Sequence, residues 1–94
     1  MAKQATATQQ IDNDRVRVTE WRFQVGEETG WHRHEFDYVV VPIVTGDLEV
    51  ETSSGTTRAP LTLGVPYFRE AGAEHNVKNG NEYEFAFVEI ELKG

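Results

Sequence analysis

A chain of 94 residues is long enough for one domain with a small hydrophobic core. Nine Lys and Arg against sixteen Asp and Glu give a formal net charge of −7, which argues against nucleic acid or an anionic membrane as partner. The absence of cysteine excludes a disulfide framework and thiolate metal ligands.

The first ten residues show no apolar core of a secretory signal, and no apolar run in the chain is long enough to span a bilayer. We therefore expect a cytoplasmic protein. Residues 1–10 are small and polar, which predicts a flexible tail or a strand that becomes ordered on a partner. A single domain is expected to follow over residues 11–94.

From residue 12 onward, short alternations of apolar and polar residues predict strands separated by turns. In the first run, Trp21, Phe23 and Val25 share one phase while charged and amide side chains share the other. Pro42 interrupts the apolar run 38–44, so that strand lies at a sheet edge or carries a bulge. Further runs follow at 48–52, 59–63, 65–69, 75–79 and 83–92. Because no window shows helical periodicity, the pattern predicts an all-β sandwich or barrel.

Two details of these runs carry further predictions. Asn79-Gly80 is the strongest two-residue turn signal in the chain, and it predicts a hairpin between 75–79 and 83–92. The acidic residues that alternate with apolar ones in 48–52 and 88–92 are expected on the solvent faces of their strands.

The three histidines of the chain are candidate metal ligands. His32 and His34 are two residues apart, so a strand would place both rings on one face. His75 lies on a distant strand that a barrel can bring alongside. Neutral imidazole suits zinc, iron, nickel or copper, and three such ligands leave positions open for water or substrate. The alternative is that His32 and His34 are unrelated residues near a turn.

Two glycine-bearing motifs surround these histidines. Gly26 precedes His32-x-His34 by five intervening residues, and Gly46 closes the first motif. The second motif contains Gly64, Gly72, His75 and Asn79 at fixed spacing, with Glu70 where proline is expected. In both motifs the chain resembles the cupin superfamily, and the resemblance covers residues 16–92. It implies a single-domain double-stranded β-helix, also called a jelly-roll barrel, with a site in its interior.

The first motif departs from the cupin pattern because its usual glutamate is absent. Tyr38 and Val39 occupy the two positions where that residue could fall. The resemblance therefore implies a site of His32, His34 and His75 without a carboxylate ligand. Such a site leaves the charge of a divalent ion unbalanced, which favours a small anionic ligand.

Cupins with three-histidine iron sites include thiol dioxygenases and an enzyme that cleaves β-diketones. The stretch 31–42 is most similar to small cupins associated with β-alanine catabolism. The resemblance thus implies one divalent transition metal, with Fe(II) first and zinc, nickel or manganese as alternatives, and dioxygenase-like chemistry on a small anionic metabolite. Lyase or isomerase chemistry at the same metal and a non-catalytic binding cupin remain the alternatives.

Three other residues are candidates for the site. Tyr38 is the candidate catalytic residue, as a proton donor or acceptor, unless it only packs between the sheets. Arg22 and Arg69 are candidates for binding a substrate carboxylate through their planar guanidinium groups, unless they are ordinary surface arginines. A small domain with uncovered strand edges also predicts a homodimer formed through those edges.

Overall fold

Strands and turns make up residues 3–94, which a computed structural model of the chain describes. Met1 and Ala2, the start of the predicted tail, lie outside the described residues. The strands are β1 (Lys3–Gln4), β2 (Thr6–Asp12), β3 (Val16–Phe23), β4 (Glu27–Glu28), β5 (His32–Arg33), β6 (Asp37–Pro42), β7 (Gly46–Thr52), β8 (Gly55–Leu61), β9 (Tyr67–Arg69), β10 (Glu74–Asn79) and β11 (Phe85–Leu92). The prediction of an all-β chain is confirmed. No helix in residues 3–94 is long and apolar enough to cross a membrane.

The strands form two sheets. One has the order β1-β4-β10-β7-β8, with β5 also paired to β10, and the other has the order β2-β3-β11-β6-β9. The neighbours are antiparallel except for the parallel pair of β1 and β4. Thus β10 and β11, the last two strands in sequence, lie in the interior of the two sheets.

The hydrophobic core lies between the two sheets and follows from the period-two alternation of their strands. Phe23 on β3 and Phe85 on β11 are fully buried, and Phe87 packs on Phe23 with ring centroids 5.6 Å apart. Leu48 and Val77 cover the same interior from the other sheet. Each buried aromatic or aliphatic side chain contributes roughly 1.5–3 kcal/mol. The core therefore holds the two sheets against each other and frames the barrel interior.

The prediction of a hairpin at Asn79-Gly80 is wrong, because β10 and β11 belong to different sheets. Residues 80–84 carry the chain across the barrel. The Asn79 side chain is buried and its amide donates hydrogen bonds to the carbonyl oxygens of Tyr83 at 2.9 Å and Gln24 at 3.2 Å. These bonds fix a crossover where a two-residue turn would have folded the strand back on itself.

Residues 3–12 contribute one strand to each sheet. β1 pairs with β4, β2 pairs with β3, and Ala5 is buried between them. All seven residues of β2 are exposed, so neither face of this strand is covered within the chain. Gln4 donates a hydrogen bond from its side-chain amide to the Thr29 carbonyl at 3.1 Å. The N-terminal segment thus contacts the loop that leads to the histidines.

Candidate metal centre

Two short strand segments bring the histidines together. β5 pairs antiparallel with β10, and this register places His32 directly opposite His75. Just after β5, two backbone hydrogen bonds fix His34 to the turn before β10. The His34 N–H donates to the Ala73 carbonyl at 2.9 Å, and the His34 carbonyl accepts from the Gly72 N–H at 2.8 Å. Gly72 has φ of 98°, a conformation that favours glycine. This glycine of the second motif therefore shapes the turn that docks the first motif.

The three imidazole rings converge through their Nε2 atoms. His34 Nε2 lies 3.0 Å from His32 Nε2 and 3.1 Å from His75 Nε2. If each nitrogen bound an ion at about 2.1 Å, these separations would correspond to N–metal–N angles of about 90–95°. Tetrahedral angles would require the nitrogens to be about 3.4 Å apart. The donor set therefore fits one transition-metal ion bound on one face, with the opposite face open.

Burial keeps His34 and His75 in the protonation state that a metal requires. Burial, followed by repulsion from the neighbouring imidazoles, lowers the pKa of His34 to about 4. Burial also lowers the pKa of His75 to about 4, with further contributions from His32 and Arg69. At neutral pH both rings are uncharged, so an incoming metal ion displaces no proton from an imidazolium.

The Nε2 cluster faces an interior cavity of about 260 Å³. Its walls are mainly apolar, and its polar side chains include the three histidines, Tyr38, Tyr67, Arg69 and Glu89. Cavities of this order accommodate small metabolites. A few polar groups in an apolar wall can orient a ligand beside the histidines.

Tyr38 faces this cavity from β6. It is 3% exposed, and its ring stacks on the His34 imidazole with centroids 4.0 Å apart and planes 21° apart. Val39, the other residue at the position of the missing glutamate, is half-buried on the opposite face of the strand. Burial raises the pKa of Tyr38 to about 12, so its phenol is protonated at neutral pH and can donate a hydrogen bond.

The two candidate arginines lie in different surroundings. Arg69 lines the cavity at the end of β9, with its guanidinium carbon 5.2 Å from the centroid of the Tyr67 ring. Arg22 lies outside the cavity lining and forms ion pairs with Glu20 and Glu84. Only Arg69 is therefore positioned to contact a molecule bound beside the histidines.

Sequence reasoning missed two interior carboxylates. Glu89 and Glu91 were expected on a solvent face, but each is only 7% exposed. They share the inward phase of β11 with Phe85 and Phe87, and that phase is the signal that could have revealed them. Glu91 is bound by Arg17, at 2.8 Å to Nε and 2.9 Å to Nη2.

Glu89 lies beside the metal centre and outside the Nε2 cluster. Its Oε1 is 3.7 Å from His34 Nδ1, the ring nitrogen that faces away from the other imidazoles. Burial, and then the nearby Glu91, raise the pKa of Glu89 to about 7. The surroundings of His34 thus include two carboxylates, since its ligand atom and those of Glu89 and Glu91 all lie within 4.8 Å of one another. The three nitrogens that converge on one point nevertheless belong to imidazoles alone.

The fold and the interior three-imidazole site together define a cupin, and the chain belongs to the cupin superfamily. It is 57% identical over 90 residues to the β-alanine degradation protein BauB of Pseudomonas aeruginosa, which covers 96% of this chain and 95% of that protein. The expected similarity to small cupins of β-alanine catabolism is thereby confirmed.

Solved structures show the same fold. A cupin domain from Bordetella pertussis superposes with a TM-score of 0.97 at 57% identity, over 100% of this chain and 98% of that one. A Klebsiella pneumoniae protein with a double-stranded β-helix domain matches with a TM-score of 0.78 at 20% identity, over 97% of this chain and 78% of its own. The second similarity concerns the fold alone. No family model matches the chain.

Proposed function

We propose that this protein is a mononuclear metalloenzyme that acts on a short carboxylate metabolite, with His32, His34 and His75 as the metal ligands. The observation that carries this proposal is the convergence of three imidazoles, with Nε2 atoms 3.0 and 3.1 Å apart, on the wall of an interior cavity. Fe(II) is the first candidate metal, and zinc, nickel and manganese are the alternatives. When bound, such an ion supplies a Lewis-acidic centre, and iron also supplies redox chemistry with dioxygen.

Arg69 supports a carboxylate as the substrate's binding group. Within residues 3–94 its guanidinium forms no ion pair, and it packs on Tyr67 at the cavity wall. A guanidinium can bind both oxygens of a carboxylate with two parallel hydrogen bonds. The apolar walls formed by Val40, Leu48 and Phe87 exclude water from the rest of the ligand.

The relative's name narrows the substrate class further. BauB is described as a β-alanine degradation protein, and 57% identity over nearly the whole of both chains supports a related substrate here. We therefore propose β-alanine, or a short carboxylate derived from it, as the substrate, and dioxygenase-like oxidation as the reaction.

Tyr38 supports a second candidate function, a lyase or isomerase. Its phenol is protonated at neutral pH and it stacks on the ligand His34, so it can donate a proton or a hydrogen bond to a reacting oxygen. Such a reaction would need no dioxygen. A cupin that only binds its ligand is the remaining alternative.

Metal loading followed by assays with and without dioxygen tests these functions. Metal-free protein is reloaded with Fe(II), zinc, nickel or manganese and given β-alanine and other short carboxylates. Oxygen consumption by the iron form supports the oxygenase, whereas anaerobic turnover by the zinc form, abolished in Tyr38→Phe, supports the lyase or isomerase. Ligand binding without turnover in any form leaves the binding cupin.

Matched variants test the assigned residues. His75→Ala should bind metal at least about 100-fold more weakly, because one of three ligands is lost. Arg69→Gln should raise KM for a carboxylate about 10-fold or more, while Arg22→Gln, outside the cavity lining, should leave KM unchanged. A wild-type protein that binds none of the four metals would overturn the proposed function.

We also propose that the protein is a cytoplasmic homodimer. The uncovered strand β2 supports a dimer, since all seven of its residues are exposed, including Ile11 at 48%. A second chain placed against β2 would bury this apolar side chain and protect the sheet edge.

A further inference from the structure

In His32 and His34 the Nδ1 atom faces away from the metal position, and the two Nδ1 atoms have different neighbours. His32 Nδ1 lies 2.9 Å from the Gly30 carbonyl oxygen, which can only accept a hydrogen bond. His32 therefore carries its proton on Nδ1 and presents the lone pair of Nε2 to the cluster. The Gly30 carbonyl thus fixes the tautomer of this ligand, and the Thr29 hydroxyl lies 3.3 Å from the same nitrogen.

His34 has one comparable partner, the carboxylate of Glu89. Oε1 of Glu89 lies 3.7 Å from His34 Nδ1, and the two side chains are 9% and 6% exposed. Among residues 3–94, no side chain donates a hydrogen bond to Glu89. Every fully buried side-chain nitrogen and oxygen there has a partner, so the Glu89 oxygens remain accessible from the cavity. The carboxylate of Glu89 thus retains its acceptor capacity beside the one free nitrogen of His34.

Comparison with Glu91 shows that the free acceptor capacity of Glu89 is unusual. Glu91 lies on the same face of β11 and is equally buried, but Arg17 satisfies both of its oxygens at 2.8 and 2.9 Å. Glu89 has no such cation. A carboxylate on the mainly apolar wall of the cavity is poorly hydrated, so a nearby N–H donor stabilises it.

We propose that Glu89 is the positioning residue for His34: its carboxylate accepts the Nδ1 proton and so aims the Nε2 lone pair at the metal. A shift of about 0.8 Å brings the pair to ordinary hydrogen-bond length. Because Nδ1 and Nε2 lie on different sides of the ring, Glu89 stands behind His34 and does not coordinate the ion itself. Its negative charge also offsets part of the charge of a bound divalent ion.

This role rests on the metal site proposed above and predicts a graded loss of metal affinity. Outer carboxylates that orient a metal-bound histidine typically contribute 10- to 100-fold to affinity. Glu89→Leu removes both the acceptor and the charge, so the affinity should fall by about that factor. Glu89→Gln keeps a carbonyl acceptor, so its loss should be smaller. Glu49→Gln on β7 is the control for removal of an acid away from the histidines, since Glu49 pairs with Arg58.

The test measures Zn²⁺ affinity at pH 8 by competition with a chromophoric chelator, together with the unfolding temperature of each variant. A merely structural role predicts altered stability with unchanged affinity. The positioning role predicts that affinity falls in the order wild type, Glu89→Gln, Glu89→Leu, and that Glu49→Gln equals wild type. Equal affinity in wild type and Glu89→Leu would overturn the proposal.

A second measurement does not depend on metal. Long-range ¹H–¹⁵N spectra of the metal-free protein report which imidazole nitrogen carries the proton. His34 should be the Nδ1–H tautomer in wild type and Glu89→Gln, and a mixture of tautomers in Glu89→Leu. Wild-type protein with the proton on Nε2 of His34 would overturn the role of Glu89, whereas failure of wild type to bind any metal would overturn the metalloenzyme proposal instead.

Discussion

Replacing Asn79 should destabilise the whole barrel, because this motif residue joins three chain segments. Its amide nitrogen donates to the carbonyls of Tyr83 at 2.9 Å and Gln24 at 3.2 Å, with a longer contact to the Phe23 carbonyl at 3.3 Å. Its oxygen accepts from the backbone N–H of Asn81 at 2.9 Å. With the side chain 8% exposed overall, water cannot replace these bonds fully in an alanine variant.

The structure allows the size of the effect to be estimated. The Asn81 side-chain amide also donates to the Asn79 oxygen at 2.9 Å. Four hydrogen bonds of ordinary length, at about 1 kcal/mol each, give a loss of about 4 kcal/mol for Asn79→Ala. A domain of this size loses about 4–8 °C of Tm per kcal/mol, so the expected decrease is about 16–32 °C. Asn79→Asp should lower Tm further, because its carboxylate cannot donate and would face the carbonyl oxygens of Tyr83 and Gln24.

Calorimetry of the purified variants at pH 7.5 measures these decreases. Asn13→Ala is the matched control, since Asn13 accepts two backbone hydrogen bonds in an exposed turn, where water can replace them. Its Tm should fall by only about 4 °C. If Asn79 served only as a turn former, aspartate would substitute for it well. A Tm of Asn79→Asp close to that of wild type would therefore refute the crossover argument.

Two further predictions concern the motif turn and the oligomer. Gly72→Ala should lower the free energy of unfolding by about 1–2 kcal/mol, because φ of 98° strains an alanine. It should also weaken Zn²⁺ binding, because the Gly72 N–H binds the His34 carbonyl. Unchanged Tm and Zn²⁺ affinity would contradict this. Light scattering at micromolar concentration should give twice the mass of one chain, and Ile11→Asp should shift the population toward monomer. A wild-type monomer under these conditions would reject the dimer proposed through β2.

Local spacing was sufficient to predict much of the site. Alternation along a strand predicted that His32 and His34 would share a face, and the resemblance of both motifs to the cupin pattern implied His75 as their partner. The same counting left Tyr38 and Val39 as alternatives for the missing glutamate, and the structure turns Tyr38 inward. Each of these inferences uses distances along one strand or within one motif.

The features that the sequence did not predict depend on contacts between distant segments. Period-two alternation separates the acids of β11 from Val88 and Ile90, but it does not show how acids can be accommodated in the interior. For Glu91 the answer is Arg17, which lies 74 residues away in sequence and neutralises it. Likewise, Asn79-Gly80 has the composition of a hairpin, and only the carbonyls that bind the Asn79 side chain make it a crossover.

The central position of β10 and β11 has a consequence for biosynthesis. Strands β3 and β6 both pair with β11, while β4, β5 and β7 pair with β10, so neither sheet can assemble until the ribosome has made these last two strands. Earlier pairs such as β2 with β3 and β7 with β8 can form first, but they stay unjoined until β10 and β11 are made, and such non-local pairing slows folding. Because β5 carries His32 and pairs only with β10, the metal centre also forms after the C-terminal strands are synthesised.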